Sequence, residues 1–482
     1  NSLLMLNKKY FGLLLGPLVF ILILIFADPS GLSQEGKAIL ASTIWIAIWW
    51  ITEAAPISVT ALLPIILFPL TGGLDLKTTT AAFGHKFIFL FIGGFILAIA
   101  IEKWNLHKRI ALNIIRLVGT NKSNIILGFM IATAFLSMWI SNTATSVMML
   151  PVALAIIAQL KDNPKTLENE NITFGKALML AIAYSASIGG MATLIGTPPN
   201  LVFAGVIKTN YNIEITFLEW MSFGLPVSII LLTICWAYLT KYAFKFKSKE
   251  FSSGKDEINN QIKSLGKISF EEKTVLIVFI ITALLWIIQS FVLKKFIPNI
   301  DDTIIAIISA VTLFILPTKN IKSTILKWED TAKLPWGILL LFGGGMALAK
   351  GFDSSGLAVW IGNQLTSLEA FPFILLLFIL IASVNFLTEI TSNLATTAMI
   401  LPVLVSLSSV INIHPYFLLI GATVAASCAF MLPVATPPNA VVFGSKLLTI
   451  NDMVKKGFWM NLISIFVLTL LVYFLVPFLW NI

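Results

Sequence analysis

Charge is what this sequence has least of. Asp, Glu, Lys and Arg make up 11% of the 482 residues while 58% are hydrophobic, and the mean hydropathy is +0.94. A soluble domain carries about 25% charged residues, so lipid has to cover most of this surface. Cysteine is nearly absent: Cys235 and Cys428 both sit inside apolar segments, which excludes a disulfide framework or a cysteine-built zinc site. The three histidines, His85, His107 and His414, show no metal-ligand spacing and read as interfacial or capping residues. There is no HExxH, no GxSxG and no aspartate pair at membrane depth, so the nucleophiles and ligands of an intramembrane enzyme are missing. The formal charge of +9 falls in short connections between apolar runs, where membrane topology places it. It implies no nucleic-acid partner.

Apolar sequence, by contrast, is abundant. Phe11–Phe26 and Phe458–Ile482 contain no charge and approach or exceed the roughly 20 residues that cross a bilayer core. The first is expected to persist as a helix, because no small-x-small cleavage site follows Phe26 before Asp28-Pro29.

The sequence also repeats itself. Ser141–Val152 reads SNTATSVMMLPV and Ser392–Val403 reads SNLATTAMILPV, identical at eight of twelve positions. GTPPN at Gly196–Asn200 returns as ATPPN at Ala435–Asn439, and FIGGFILA at Phe91–Ala98 resembles LFGGGMAL at Leu341–Leu348. Three landmarks in the same order indicate a duplicated fold. The Gly93-Gly94 and Gly343-Gly344-Gly345 runs follow no strand and precede no Walker lysine, so they read as close helix packing.

The expected fold is an all-α polytopic membrane protein. Apolar crossings are expected near 11–26, 38–51, 57–71, 86–101, 176–207, 222–241, 273–293, 302–316, 334–351, 414–446 and 457–480, about eleven in all. Two apolar stretches remain, near 124–160 and 371–410, each with a polar Ser-Asn at its centre. They read as re-entrant hairpins that enter and leave on one side. The positive-inside rule fits this count with the N-terminus cytoplasmic and the C-terminus outside. Lys103, Lys108, Arg109, the eight lysines from Lys241 to Lys273, Lys319, Lys322, Lys327, Lys446, Lys455 and Lys456 then fall inside. Lys294 and Lys295 are the exception, partly offset by Asp301 and Asp302. The implied organisation is an N-terminal helix (1–36), a first repeat (37–243), a cytoplasmic linker (244–272) with an amphipathic helix on the membrane, and a second repeat (273–482). An odd number of crossings per repeat inserts the second copy upside down. Inverted repeats of this kind mark secondary transporters, whose binding site lies where the repeats meet.

At such a site an anion can be held without a buried Arg or Lys. Unpaired amides at the start of each half-helix bind carboxylates, and Ser141, Asn142, Thr143, Ser392 and Asn393 add polar side chains. Pro198-Pro199 and Pro437-Pro438 interrupt their helices and free carbonyls upstream. Freed carbonyls with Ser, Thr and Asn oxygens suit a hard cation such as Na+. A single Ser-Asn-Thr run is an ordinary N-cap, and a single Pro-Pro an ordinary kink. Their duplication at matching positions points to a site instead. Glu389, four residues before Asn393, reads either as a functional intramembrane acid or as a paired structural one.

Paired SNT-type motifs followed by TPPN breaks resemble the divalent anion/sodium symporter family of di- and tricarboxylate transporters, over essentially the whole chain from about Lys37. The resemblance implies one sodium site from Ser137, Ser141, Asn142 and Gly196, and another from Thr388, Thr391, Asn393 and Ala435. It places the substrate carboxylates against Ser141, Asn142, Thr143, Thr197 and Pro198 on one side and Ser392, Asn393, Leu394, Thr436 and Pro437 on the other. Leu394 departs from the family pattern, which has threonine there. The implied protein is a plasma-membrane homodimer that takes up C4-dicarboxylates (succinate, malate, fumarate) with Na+ by an elevator motion. A sodium-independent exchanger would place fixed cations at the site. Yet 137–151, 188–200, 388–402 and 426–439 contain no Lys, Arg or His. Sulfate or citrate transport within the same family, and a channel, are the other readings.

Overall fold

The protein's structure, a computed structural model, describes residues 2–119, 121–159, 170–244, 246 and 252–482. These form helices throughout, with no strand among the described residues. The chain opens with α1 (Ser2–Phe26), α2 (Gln34–Thr52), α3 (Ile57–Thr60), α4 (Leu63–Thr71) and α5 (Leu76–Ala81). Next come α6 (Lys86–Lys103), α7 (Leu106–Val118), α8 (Lys122–Ser137), α9 (Asn142–Ala158), α10 (Glu170–Gly190), α11 (Pro198–Tyr211) and α12 (Phe217–Ala237). The connection carries α13 (Ser252–Ser264). The second half holds α14 (Phe270–Ile288), α15 (Lys294–Phe296), α16 (Asp302–Ile315), α17 (Trp336–Ser354) and α18 (Leu357–Gln364), then α19 (Phe373–Thr388), α20 (Asn393–Val410), α21 (Pro415–Ala426), α22 (Pro437–Phe443) and α23 (Ile450–Trp480).

Among the described residues seven helical segments are long and apolar enough to cross a membrane, and six apolar helices are shorter. Several of the short ones are halves of what the sequence reads as single crossings. The stretch near 176–207 is α10 and α11 with a break at 191–197 between them; the stretch near 414–446 is α21 and α22 separated by 427–436. Proline is the cause in both: Pro198 and Pro437 start their helices, where a missing N–H costs nothing. The stretch near 57–71 likewise splits into α3 and α4. Large apolar side chains such as Leu14, Ile281, Ile308 and Phe474 are exposed on the outside of the bundle, as lipid contact requires.

Matching helix contacts recur in the two halves. In the first half α8 packs on α10, and α10 on α12; in the second, α19 packs on α21, and α21 on α23. The halves also interlock. Helix α11 packs on α17, α20 and α21, while α22 packs on α9 and α10. The glycine runs serve the close packing expected of them: a Cβ on Gly93 would lie 2.7 Å from the Ala306 backbone, and one on Gly344 2.6 Å from Ala61 O.

Ion pairs tie the helix ends. Arg109 grips Glu272 through two contacts (2.9 and 3.2 Å) and donates to the Leu265 and Gly266 carbonyls, which fixes the end of α13 against α7. Lys103 pairs with Asp330 at 2.7 Å, and Lys86 with Glu214 at 2.7 Å and Asp301 at 3.3 Å. Asp301 and Asp302 therefore do not offset Lys294 and Lys295 by direct pairing: Asp302 accepts from Phe217 N at 2.6 Å.

Gly189 tests this packing, because a Cβ there would sit 2.3 Å from Ala134 O. Gly189→Ala is expected to cost about 1–3 kcal/mol and to lower the melting temperature in detergent. Gly84→Ala, which meets nothing within 4 Å, should leave it unchanged.

Candidate functional site

Four helices begin at the wall of one cavity of about 420 Å³: α9 at Asn142, α11 at Pro198, α20 at Asn393 and α22 at Pro437. The volume is that of a small-molecule site. All ten residues expected to meet substrate line it, from Ser141, Asn142, Thr143, Thr197 and Pro198 on one half to Ser392, Asn393, Leu394, Thr436 and Pro437 on the other. Of the residues expected at sodium, Gly196 and Ala435 also line it, while Ser137, Thr388 and Thr391 are buried.

The two tips differ in what they leave free. The first amides of any helix have no intrahelical acceptor. Ser141 caps α9 by accepting from Ala144 N at 3.2 Å, whereas Ser392 makes no such bond and keeps its hydroxyl. At the other two helix starts the roles reverse. Thr436 accepts from Asn439 N at 3.3 Å, and Thr197 makes no side-chain cap. Leu394 lines the cavity but is only 4% exposed.

Beneath each tip lies the same cluster of oxygens. Ser137 Oγ is 2.5 Å from Asn142 Oδ1 and 2.7 Å from Ala186 O. Thr388 Oγ1 is 2.7 Å from Asn393 Oδ1 and 3.1 Å from Ala426 O. One hydroxyl proton cannot serve two acceptors, so each cluster is short of hydrogen. A Cβ on Gly190 would lie 2.7 Å from Asn142 Oδ1 and 3.2 Å from Gly196 O, so glycine keeps the first cluster open. Uncharged, all-oxygen and proton-deficient, these donor sets fit a sodium ion. Nδ2 of Asn142 and of Asn393 has no hydrogen-bond partner among the described residues. The hydroxyl of Thr391 is engaged, contacting Thr396 Oγ1 at 2.5 Å and Leu387 O at 2.9 Å.

The breaks are held by residues whose role the sequence reading missed. Asn200 Nδ2 donates to the carbonyls of Gly190, Met191 and Thr193 (3.2, 3.4 and 2.7 Å), and Asn439 Nδ2 to those of Ala429 and Leu432 (3.2 and 2.9 Å). The signal was available, since both asparagines close a duplicated TPPN. Glu389 turns out to be a paired acid. Its carboxylate accepts from Phe430 N, Met431 N, Leu432 N and Asn461 Nδ2 at 2.7–3.0 Å. Residues facing the tips, among them Phe95, Ile338 and Glu53, were also missed. Glu53 is the one charged side chain lining the cavity, and an acid ending an apolar run could have flagged it.

Glu389→Ala would leave the amides of Phe430, Met431 and Leu432 and the side chain of Asn461 without this acceptor, at about 1–3 kcal/mol for each group that ends buried and unpaired. A large fall in melting temperature is expected, greater than for Asn200→Ala. A variant that melts like the wild type would show that Glu389 does not hold the break.

The wider comparisons fit this geometry. Residues 7–481 match the family described as the sodium:sulfate symporter transmembrane region. The sodium-dependent dicarboxylate transporter SdcS of Staphylococcus saprophyticus is 48% identical over 98% of this chain and 93% of its own. Its counterpart in Staphylococcus aureus (strain USA300) is 48% identical over 97% of this chain and 91% of its own. Among solved structures, the Alcanivorax borkumensis YdaH transporter superposes with a TM-score of 0.56 at 13% identity, covering 82% of this chain and 85% of that one. MtrF of Neisseria gonorrhoeae gives 0.56 at 11% identity, covering 97% and 94%. At those identities the likeness concerns the fold alone. On the match along nearly its whole length, this multi-pass membrane protein belongs to the sodium:sulfate symporter family.

Proposed function

We propose that this protein is a secondary transporter that takes up C4-dicarboxylates (succinate, malate and fumarate) together with Na+. The observation that carries the reading is the pair of oxygen clusters under two helix tips that share one cavity. The names of the SdcS relatives support the same substrate and ion.

Sodium would bind at Ser137, Ser141, Asn142 and Gly196 in one half, and at Thr388, Asn393, Ala435 and the carbonyl of Thr391 in the other. Each asparagine would join ion to substrate. Its Oδ1 faces the cation, and its Nδ2 and backbone amide are left for a carboxylate. Filling the cation site fixes that orientation, so sodium raises affinity for the anion, and the anion for sodium, by the same factor. Two tips on one cavity suit an anion with a carboxylate at each end, which favours a dicarboxylate over sulfate. An exchanger would need fixed positive charge here, and the cavity lining has none. No enzymatic activity is proposed.

In this reading 124–160 and 371–410 are re-entrant hairpins, and the repeats 37–243 and 273–482, on either side of the 244–272 linker, are inverted. The protein sits in the plasma membrane as a homodimer, N-terminus cytoplasmic and C-terminus outside. The tips and the helices after them move past the remaining helices as an elevator.

The direct test is uptake of labelled succinate into proteoliposomes. Uptake should vanish when choline replaces sodium outside. Equal uptake in both media, stimulated by internal dicarboxylate, would establish exchange instead. Asn142→Ala and Asn393→Ala should each abolish uptake, since each loses a hydrogen bond to a charged group, about 1.5–3 kcal/mol, along with a cation ligand. Leu394→Thr should stay active and narrow the preference for succinate over citrate, whose additional polar groups cost about 1–3 kcal/mol to bury unpaired. Competition of unlabelled citrate against labelled succinate measures this, and an unchanged ratio would remove Leu394 from selectivity.

A further inference from the structure

A second cavity, of about 570 Å³, lies behind the first tip and shares Ser141 and Thr143 with the central one. Its walls are chemically different. Lys108 and Lys333 line it, both exposed, and neither makes an ion pair among the described residues. Glu102 is the one acidic side chain in the lining. His107 is there too, but burial holds its imidazole below the usual pKa, so it adds no charge at neutral pH. Positive charge therefore outweighs negative in this cavity, the opposite of the central one.

A second observation places an unpartnered polar group at the wall of the same space. Thr145 lines this cavity and is 2% exposed; its hydroxyl, itself closed off from solvent, has no hydrogen-bond partner among the described residues. The repeat explains the orphan. Its counterpart Thr396 pairs with Thr391, and the position matching Thr391 is here Ile140, which offers no oxygen. A buried hydroxyl left unpaired carries a desolvation penalty that a ligand or water would relieve.

We propose that this cavity is a second, weaker carboxylate subsite, occupied by the dicarboxylate as it passes between the central site and the water on the side of Lys108 and Lys333. The proposal rests on the transport function proposed above. Lysine charge draws the anion in; the hydroxyl of Thr143, joined by that of Thr145 once it rotates toward the cavity, supplies short-range donors. Of the proposed sodium ligands only Ser141 lines this space; Asn142 and Asn393, which would join ion to substrate, do not.

The test uses full-length protein reconstituted in one orientation, with labelled succinate presented to each face in turn. The double variant Lys108→Gln/Lys333→Gln should raise KM about fivefold at the face bearing the lysines and leave the opposite face within about twofold. Lys108→Arg/Lys333→Arg should restore the wild-type value. Thr145→Val, close in shape, should raise KM at the same face about threefold. Equal KM shifts at both faces, no shift at either, or a loss that arginine does not restore would overturn the subsite. Wild-type vesicles without sodium-driven succinate uptake would instead overturn the transport function beneath it.

Discussion

A helix broken inside a membrane protein exposes amides and carbonyls that lipid cannot satisfy, and this chain has four such breaks around one cavity. They lie at 138–141, 191–197, 389–392 and 427–436. The protein supplies partners for much of what is exposed. Asn200 and Asn439 clasp carbonyls, Glu389 gathers amides, Thr193 Oγ1 donates to Met138 O at 2.6 Å, and Trp220 Nε1 to Met191 O at 2.9 Å. Close approach of neighbouring helices completes the arrangement: a Cβ on Gly224 would lie 2.5 Å from Met191 O, and one on Gly457 2.1 Å from Phe430 O. At the tips, the hydroxyl of Ser392 and the oxygen clusters under Asn142 and Asn393 keep unmet polarity, and on the proposed function that is the binding capacity.

Because the capacity comes from backbone ends and neutral side chains, the site needs no permanent charge of its own. A fixed cation in the cavity would be costly whenever the anion left. Removable sodium ions avoid that cost, since charge arrives with the substrate and leaves with it. Two acids stand apart from this: Glu53 on the cavity wall and, in the second repeat, the buried Glu389, whose carboxylate four hydrogen-bond donors compensate. The first repeat has Met138 at that position and closes its break with Thr193, Trp220 and Asn200. Two halves of one duplication thus reach the same geometry by different chemistry.

Much of this was legible in the sequence because duplication turns weak motifs into strong ones. The SN and TPPN pairs located four helix starts, and the matching offsets of Ser137 and Thr388 located the hydroxyls beneath the tips. Partners of the breaks were harder to read, since they come from elsewhere in the chain. Glu389 meets Phe430 and Asn461, 41 and 72 residues away, and nothing local announces that. The engagement of the Thr391 hydroxyl by Thr396 was hidden for a similar reason, being a contact across the tip that spacing alone does not fix. Glu53 escaped because it belongs to neither motif and reaches the cavity only through helix packing. The Pro-Pro pairs announced the splitting of α10 from α11 and of α21 from α22, where hydropathy alone runs on across a backbone that does not.

The proposed function turns on sodium filling the oxygen clusters and so ordering both tips for the anion. Hydrogen exchange of the purified protein, with sodium chloride or choline chloride and no dicarboxylate, tests it most directly. The account predicts that sodium slows exchange at 138–145 and at 389–396 together, with smaller protection at the breaks near 191–197 and 427–436. Unchanged exchange at both tips, or protection that appears only when succinate is added, would contradict it.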